Sequence, residues 1–463
     1  MMQQDTIFAQ ATPQGYGALG IIRLSGPKTF NFLHKIFRFS DSKKNFETLH
    51  THTIHFGHVF DESGIIDEAL LSVFRTPKSY TKEDSAELTV HGSPYILKRI
   101  ALAMVDAEIR QAAPGEFTMR AFMNGRFDLS QAEAVADLIS SHSDASHDLA
   151  FRQFRGEFSS RIKELRKELI DFTALIELEL DFADEDVEFA DRSRLLLLVN
   201  NLQSETKLLI DSFALGNVIK QGIPVTITGR PNVGKSTLLN LLLKDDKALV
   251  SEIPGTTRDS LEDIISIDGI TFRFIDTAGL RISDDVVENM GIERALQMTE
   301  KAEIVLYVAD LSDISVEEIQ NDLDDLKQRI PSFENKKLIV IFNKIDLLQE
   351  IPHGIQKFLE SDTIFISAKR RENIAMLEEM LKETAMNRKT EDGVVVSNTR
   401  HYEALLRTNQ ALSRVENGIT EGISQDLLSS DLRDAMHHLG SITGEITNDD
   451  ILNSVFSNFC IGK

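Results

Sequence analysis

Gly229-Arg230-Pro231-Asn232-Val233-Gly234-Lys235-Ser236 fits the phosphate-loop pattern G-x-x-x-x-G-K-[ST] at every fixed position. Residues of these types at this spacing suit the binding of a nucleotide polyphosphate with magnesium. The glycines let backbone N–H groups turn inward, and a following helix N-terminus adds partial positive charge. Lys235 can reach the β- and γ-phosphates, and the Ser236 hydroxyl can ligate Mg²⁺. Asn232, Val233, Gly234 and Thr237 complete the expected cradle. A glycine turn before an ordinary helix is the alternative. The context argues against it, because a β-branched run at 223–228 precedes the motif and a Leu-rich run at 237–243 follows it.

Four further segments fall where a phosphate loop requires them. Asp276-Thr277-Ala278-Gly279 closes an expected strand at 270–275. The acid would hold Mg²⁺ through water, and Gly279 would face the γ-phosphate. Asn343-Lys344-Ile345-Asp346 closes another strand at 337–342. The Asp346 carboxylate can accept from the N1–H and N2–H₂ of guanine, a donor pair that adenine lacks, so it selects GTP over ATP. Ser367-Ala368-Lys369 follows the last strand, at 363–366, and can support the base. The loop Ser251-Glu252-Ile253-Pro254-Gly255-Thr256-Thr257 lies ahead of the strand at 262–267, with Thr257 placed to complete the Mg²⁺ shell.

The residue after Gly279 is Leu280, which cannot orient an attacking water as a glutamine would. Two other sources are open. A monovalent cation near Asn232, wrapped by carbonyls of 251–257, would supply positive charge. Alternatively a downstream carboxylate would act, with Glu288 the candidate; an ordinary helix-start glutamate reads the same way.

The elements that position these residues follow from pattern. The chain has 463 residues, room for about three domains at the usual domain size. Hydrophobic content of 42% and charged content of 27% are ordinary for a globular protein. One cysteine, Cys460, excludes an internal disulfide framework and suits a reducing compartment. The opening Met-Met-Gln-Gln-Asp-Thr shows no signal-peptide pattern, and no run of 18 apolar residues predicts a membrane span. A net charge of -23 argues against a protein coated in basic surface for non-specific nucleic-acid binding, while leaving room for a local basic patch or a basic partner.

Residues 1–122 read as a small α/β domain, with strands at 18–24, 51–60, 68–74 and 86–90 and a helix at 94–107. His50, His52, His55 and His58 crowd one expected strand; 50 and 52 share a face, but 55 and 58 lie on opposite faces, which favours a half-exposed strand over a metal site. The segment 114–126 reads as a loop between domains, rich enough in hydrogen-bonding groups for a binding role. Helical spacing runs from 130 to 215. Within it, 177–191 holds eight acidic residues and no basic ones, a solvated helix end or loop rather than a metal site. Residues 216–382 alternate strands and helices as a doubly wound sheet. Residues 383–398 read as a linker and 399–459 as helical. The expected fold is thus mixed α/β and all-α: an N-terminal domain (1–122), a helical domain made from two chain segments (123–215 and 383–463), and an inserted Ras-like P-loop GTPase domain (216–382).

Together these features resemble the MnmE (TrmE) family of tRNA-modifying GTPases. The likeness covers essentially the whole chain. Asp5-Thr6-Ile7-Phe8-Ala9 and Gly20-Ile21-Ile22-Arg23-Leu24-Ser25-Gly26 are similar to the family opening. Pro114 to Arg126, continuing into Asp128-Leu129-Ser130-Gln131-Ala132-Glu133-Ala134, resembles its most distinctive segment outside the GTPase motifs. Phe459-Cys460-Ile461-Gly462-Lys463 looks like its C-terminal signature. The resemblance implies a cytoplasmic homodimer. Its N-terminal domain would mediate dimerisation and bind a tetrahydrofolate derivative (5-formyl or methylene form) through Arg23, Glu87, Arg126 and Lys463. Arg126 stands where relatives often have lysine. The resemblance further implies GTP hydrolysis activated by potassium, with Asn232, Ser251, Ile253 and Thr256 as K⁺ ligands, Glu288 as catalytic acid beside Lys235, and Ser236 and Thr257 on Mg²⁺. Cys460 becomes a candidate thiol. The implied partner is MnmG, in a heterotetrameric or larger complex that brings FAD and NADH. The two would install a carboxymethylaminomethyl-type group at carbon 5 of tRNA uridine 34, with glycine or ammonium as amine donor.

A GTP-switched RNA-binding or ribosome-assembly factor would share the central motifs. Such proteins commonly add a basic KH module with a G-x-x-G loop, and after Gly393 no two glycines have that spacing. The acidic balance also implies that tRNA affinity comes mainly from the partner or the complex.

Overall fold

The computed structural model describes residues 5–181, 192–245, 263–275, 296–310, 312, 315–348, 355–358, 362–386, 394–457, 459 and 462. The chain divides into two compact units. One comprises 1–136, 153–203 and 407–463; the other comprises 137–152 and 204–406.

The first unit opens with β1 (Ile7–Gln10), β2 (Leu19–Ser25), α1 (Thr29–Ile36), β3 (Phe37–Phe39), β4 (Thr53–Asp61), β5 (Gly64–Phe74), β6 (Ser85–His91), α2 (Pro94–Asp106), β7 (Arg110–Gln111) and α3 (Glu116–Met123). The strands form one sheet in the order β3-β4-β5-β6-β2-β1-β7, antiparallel except between β1 and β7. Alternation does the sorting. Ile22, Leu24, Leu71, Val73, Leu88 and Val90 face α1 and α2 in a core that includes Leu33, Ile100 and Met104. Arg23 and Glu87 alternate to the other side.

The segment 114–126 corrects the sequence reading: it is not a domain-joining loop but holds the helix α3, entered through Gly115 at φ 67°. Phe117 and Ala121 are fully buried there, Phe117 against Ile7 and Ala9. The charges that made it look like a loop are paired. Arg120 reaches Glu116 at 2.9 Å and also bonds Asp5, while Arg110 meets Glu116 at 2.7 Å and Asp5 at 2.9 Å. Burial alone would raise the Glu116 pKa, yet Arg110, the Ala113 N–H and Arg120 outweigh it and hold the carboxyl below its ordinary value. A carboxylate depressed in the fold stabilises it above the unfolded pKa, and that contribution disappears as pH falls through the folded value. Glu116→Gln leaves two guanidiniums facing a neutral amide, with an expected loss of about 3 kcal/mol. Urea unfolding at pH 7 measures the loss. The gap between variant and parent should shrink as pH falls below 4.5, the ordinary value for glutamate.

The expected histidine strand is shorter than its pattern. β4 begins at Thr53, and His50 and His52 precede it, His52 at φ 61°. They therefore do not share a strand face. Among the described residues, no group of three or more His, Cys, Asp or Glu side chains is arranged to hold a metal ion.

Helices α4 (Leu129–Ser140), α5 (Asp144–Phe154), α6 (Glu157–Asp181), α7 (Arg192–Asp211) and α8 (Phe213–Gln221) follow, the last running past the expected end at 215. The described part of the acidic run lies on α6; 182–191 lies outside the described residues. The alternating region then gives β8 (Ile223–Thr228), α9 (Lys235–Asp245), β9 (Asp263–Ile267), β10 (Ile270–Phe274), β11 (Ile304–Asp310), α10 (Val316–Arg329), β12 (Lys337–Asn343), β13 (Thr363–Phe365) and α11 (Ile374–Met386). Its sheet order is β13-β12-β11-β8-β10-β9, parallel save for β9. Leu306 and Val308 pack under α9 and α11, whereas Tyr307 and Ala309 pack under α10. Helices thus cover both faces, which explains why these strands read as continuous apolar runs.

Last come α12 (Thr399–Glu421), α13 (Gln425–Thr443) and α14 (Asp449–Phe456). Helices from both flanks of the alternating region pack in the first unit. Arg166 of α6 bonds the Met436 carbonyl of α13, and Gln203 of α7 bonds Ser413 of α12. Leu129, Ala132 and Val135 of α4 share a core with Leu452 and Phe456 of α14. No helix among the described residues is long and apolar enough to cross a membrane.

Candidate functional site

The phosphate loop lies between β8 and α9, and its conformation demands its letters. Gly229 sits at φ 136°, and a Cβ there would meet the Val308 carbonyl oxygen at 2.1 Å. Gly234 sits at φ 99°, where a Cβ would meet the Asn343 side chain at 2.3 Å. Asn232 adopts φ 61°, a left-handed conformation that asparagine tolerates better than most residues. Lys235 begins α9, and its Nζ donates to the carbonyls of Gly229 at 2.8 Å and Arg230 at 2.6 Å. Ser236 is half-buried and Thr237 exposed. Val233 is buried, which anchors the loop in the sheet core.

The predicted base-recognition residues gather at the same end of the sheet. Asn343 closes β12 and is buried; its Nδ2 donates to the Val233 carbonyl at 2.8 Å, and its Oδ1 accepts the Ala368 N–H at 3.0 Å. One amide thereby ties the phosphate loop to the Ser367–Lys369 segment. The Asp346 carboxylate accepts from the Ser367 hydroxyl at 2.7 Å, and that hydrogen bond holds its pKa below the usual carboxylate range. It is therefore ionised at neutral pH, the form that accepts guanine N–H groups. Lys344, at φ 62°, pairs with Asp310 at 2.7 Å. Burial raises the Asp310 pKa, but Lys344 and Ser312 outweigh it and keep the group ionised. Sequence reasoning missed Asp310, although a lone acid closing a continuous apolar strand was a usable signal.

Ser251, Glu252, Ile253, Pro254, Gly255, Thr256, Thr257, Asp276, Thr277, Ala278, Gly279 and Glu288 lie outside the described residues, as do Cys460 and Lys463. The described half of the site thus contains the phosphate loop and the base-recognition set. Asn232 is the described member of the expected cation ligands, and Ser236 that of the Mg²⁺ pair.

A second cluster forms on the outer face of the N-terminal sheet. Arg23 and Glu87 are register partners on β2 and β6, and Arg23 Nε donates to Glu87 Oε1 at 2.8 Å. Arg23 Nη1 also reaches the Gly462 carbonyl at 3.2 Å, bringing the chain end to this face. Arg126 donates to the Ser79 carbonyl at 2.8 Å. Tyr80 stands between the two arginines, with Arg126 at 4.9 Å and Arg23 at 5.7 Å from its ring centre. Its hydroxyl bonds Thr118 of α3 at 2.9 Å, and burial pushes its pKa up. Sequence reasoning missed Tyr80, which no periodicity marks. Two guanidiniums, a carboxylate and an aromatic ring suit a flat, hydrogen-bonding ligand with an anionic tail.

Two family models match the chain: the N-terminus of the GTP-binding protein TrmE over residues 6–126, and the MnmE helical domain over 129–460. The chain is 48% identical to the tRNA modification GTPase MnmE of Christiangramia forsetii, with 100% of both chains covered. The chain belongs to the MnmE family of tRNA modification GTPases. It is also 49% identical to the MnmE of Cytophaga hutchinsonii, covering 99% of this chain and 98% of that one, and 48% identical to the MnmE of Bacteroides thetaiotaomicron, covering 100% of both. Membership of this family makes the chain a GTP hydrolase. The segment through α3 falls within the match to the N-terminal model, and the chain from α4 to residue 460 within the match to the helical-domain model. A solved G domain of the T. maritima FeoB iron transporter matches 35% of this chain at 25% identity with a TM-score of 0.26, too low to carry weight.

Proposed function

We propose that the chain is a potassium-activated GTPase that, with MnmG, modifies carbon 5 of the wobble uridine (U34) of certain tRNAs to a carboxymethylaminomethyl group. The observation that carries this reading is the full-length likeness to tRNA modification GTPases. The division of labour follows from the residues. Asp346, supported by Ser367, selects guanine. Lys235 and the phosphate loop hold the β- and γ-phosphates, and Ser236 with Thr257 would hold Mg²⁺. Asn232, with Ser251, Ile253 and Thr256, would hold K⁺, which supplies positive charge next to the transferred phosphate. Glu288 would position the attacking water, because Leu280 cannot. Asn232 fits such a role chemically: it offers a neutral oxygen donor, the kind alkali cations accept.

The Arg23–Glu87–Arg126–Tyr80 cluster would bind a tetrahydrofolate derivative, with Lys463 completing it. Its chemistry fits the ligand: a pterin edge offers N–H donors to a carboxylate, and a glutamate tail is anionic. When bound, that cofactor supplies a one-carbon unit. Homodimerisation through the N-terminal domain, a heterotetrameric or larger complex with MnmG carrying FAD and NADH, and a cytoplasmic setting complete the reading.

Hydrolysis measured in potassium and then in sodium, with and without MnmG, tests the GTPase part. Turnover should rise when potassium replaces sodium, and Glu288→Ala should lower it at least about 100-fold. Equal rates in both salts would remove the cation from the mechanism.

A further inference from the structure

Arg230, the second residue of the phosphate loop, takes no part in the nucleotide contacts assigned above. Its side chain leaves the loop for α10. Nε donates to Asp322 Oδ2 at 2.8 Å and Nη2 to Asp322 Oδ1 at 3.1 Å, a two-point fork. Nη1 adds a contact of 3.4 Å to Glu318. The Tyr307 hydroxyl, on buried β11, donates to the same Asp322 Oδ2 at 2.9 Å. Glu318 is not idle either; it closes the N-terminal capping box of α10 with Ser315. One guanidinium therefore fastens the loop to the first two turns of α10 and, through Asp322, to the central strand. The same residue's backbone carbonyl accepts the Lys235 ammonium. A shift at residue 230 moves the resting position of the lysine that serves the phosphates.

We propose that Arg230, Asp322 and Tyr307 form a clamp that holds the phosphate loop in its nucleotide-receiving shape, with Arg230 a positioning residue for GTP binding and hydrolysis. The loop needs such a device. Gly229, Asn232 and Gly234 all sit at positive φ, and residues able to adopt that conformation have many others available. Ordering a loop at the moment of binding lowers affinity, and ordering it beforehand removes that cost. An ordinary surface ion pair would do little. This one differs in being two-pointed, in joining a loop to a distant helix and in being backed by a buried tyrosine hydroxyl. A planar fork is also what a lysine cannot reproduce.

The clamp depends only on GTP binding, not on the potassium or folate readings, so it is tested on the full chain in sodium buffer. Fluorescent GTP and GDP analogues give affinity, steady-state kinetics give kcat and KM, and thermal melting reports folding. Arg230→Gln and Asp322→Asn should each weaken nucleotide binding about 10-fold, the equivalent of one charge-assisted contact. The double variant should be no weaker than about either single variant, because both break the same clamp. Arg230→Lys should recover only part of the loss, and Tyr307→Phe, which keeps the fork, should lose less than Asp322→Asn. Variants that melt lower yet bind nucleotide as the parent does would overturn the proposal. So would losses that add fully in the double variant, or complete rescue by lysine.

Discussion

Asp346→Asn is expected to lower GTP affinity roughly 1,000-fold: one hydrogen bond to a charged group is lost, the other falls to neutral strength, and an N–H₂ is set against guanine's own, together about 4 kcal/mol. In the proposed function the carboxylate would accept from both N1–H and N2–H₂ of guanine, and its ionised form is favoured by the Ser367 hydroxyl at 2.7 Å. An asparagine accepts one of these groups but turns its own N–H₂ against the other. The mismatch is specific: xanthine carries a carbonyl where guanine carries the exocyclic amine. Asparagine at 346 therefore complements xanthosine triphosphate, with one donor and one acceptor correctly paired. Affinities of the variant for GTP and xanthosine triphosphate, measured side by side, should cross over. A variant that still prefers GTP would mean that Asp346 does not read the base. Because Asn343 and not Asp346 braces the phosphate loop against Ala368, the substitution should leave the fold intact.

Lys235→Ala should lower kcat/KM for GTP roughly 1,000-fold, the upper range for removing one preorganised donor from a developing charge. The ammonium begins α9 and rests on the Gly229 and Arg230 carbonyls at 2.8 and 2.6 Å. These bonds keep it inside the loop, where three N–H donors on one centre can be shared between loop and phosphates. Alanine removes the charge without disturbing Val233 or Asn343, so thermal stability should be nearly unchanged. Single-turnover hydrolysis at saturating GTP separates chemistry from binding. A variant that loses affinity but keeps its single-turnover rate would limit Lys235 to ground-state binding.

The alternating region was legible because its strands are buried on both faces. Runs such as Ile304–Asp310 and Lys337–Asn343 show continuous apolar character, and the motifs at their ends must follow. The Asn343–Asp346, Ser367–Lys369 and phosphate-loop residues accordingly lie where their spacing places them. The helix α3 was not legible, for a physical reason. It is short, and two of its buried positions are charged, Glu116 and Arg120. Their partners Asp5 and Arg110 stand on other elements, so no local pattern shows that the charges are satisfied. The same holds for Tyr80, which enters the arginine cluster from the connection between β5 and β6, and for Asp322, whose claim on Arg230 spans 92 positions. Sequence periodicity reports which face of an element is apolar. It does not report which polar groups meet across the fold.

Wobble-uridine modification in tRNA from cells lacking this chain is the most direct measurement of its function. Mass spectrometry of nucleosides from purified tRNA should show the carboxymethylaminomethyl-type group at uridine 34 lost in the deletion strain. The intact gene should restore it, and the Asp346→Asn and Lys235→Ala variants should not. Normal modification in the deletion strain would contradict the proposed function and leave a GTPase with another task.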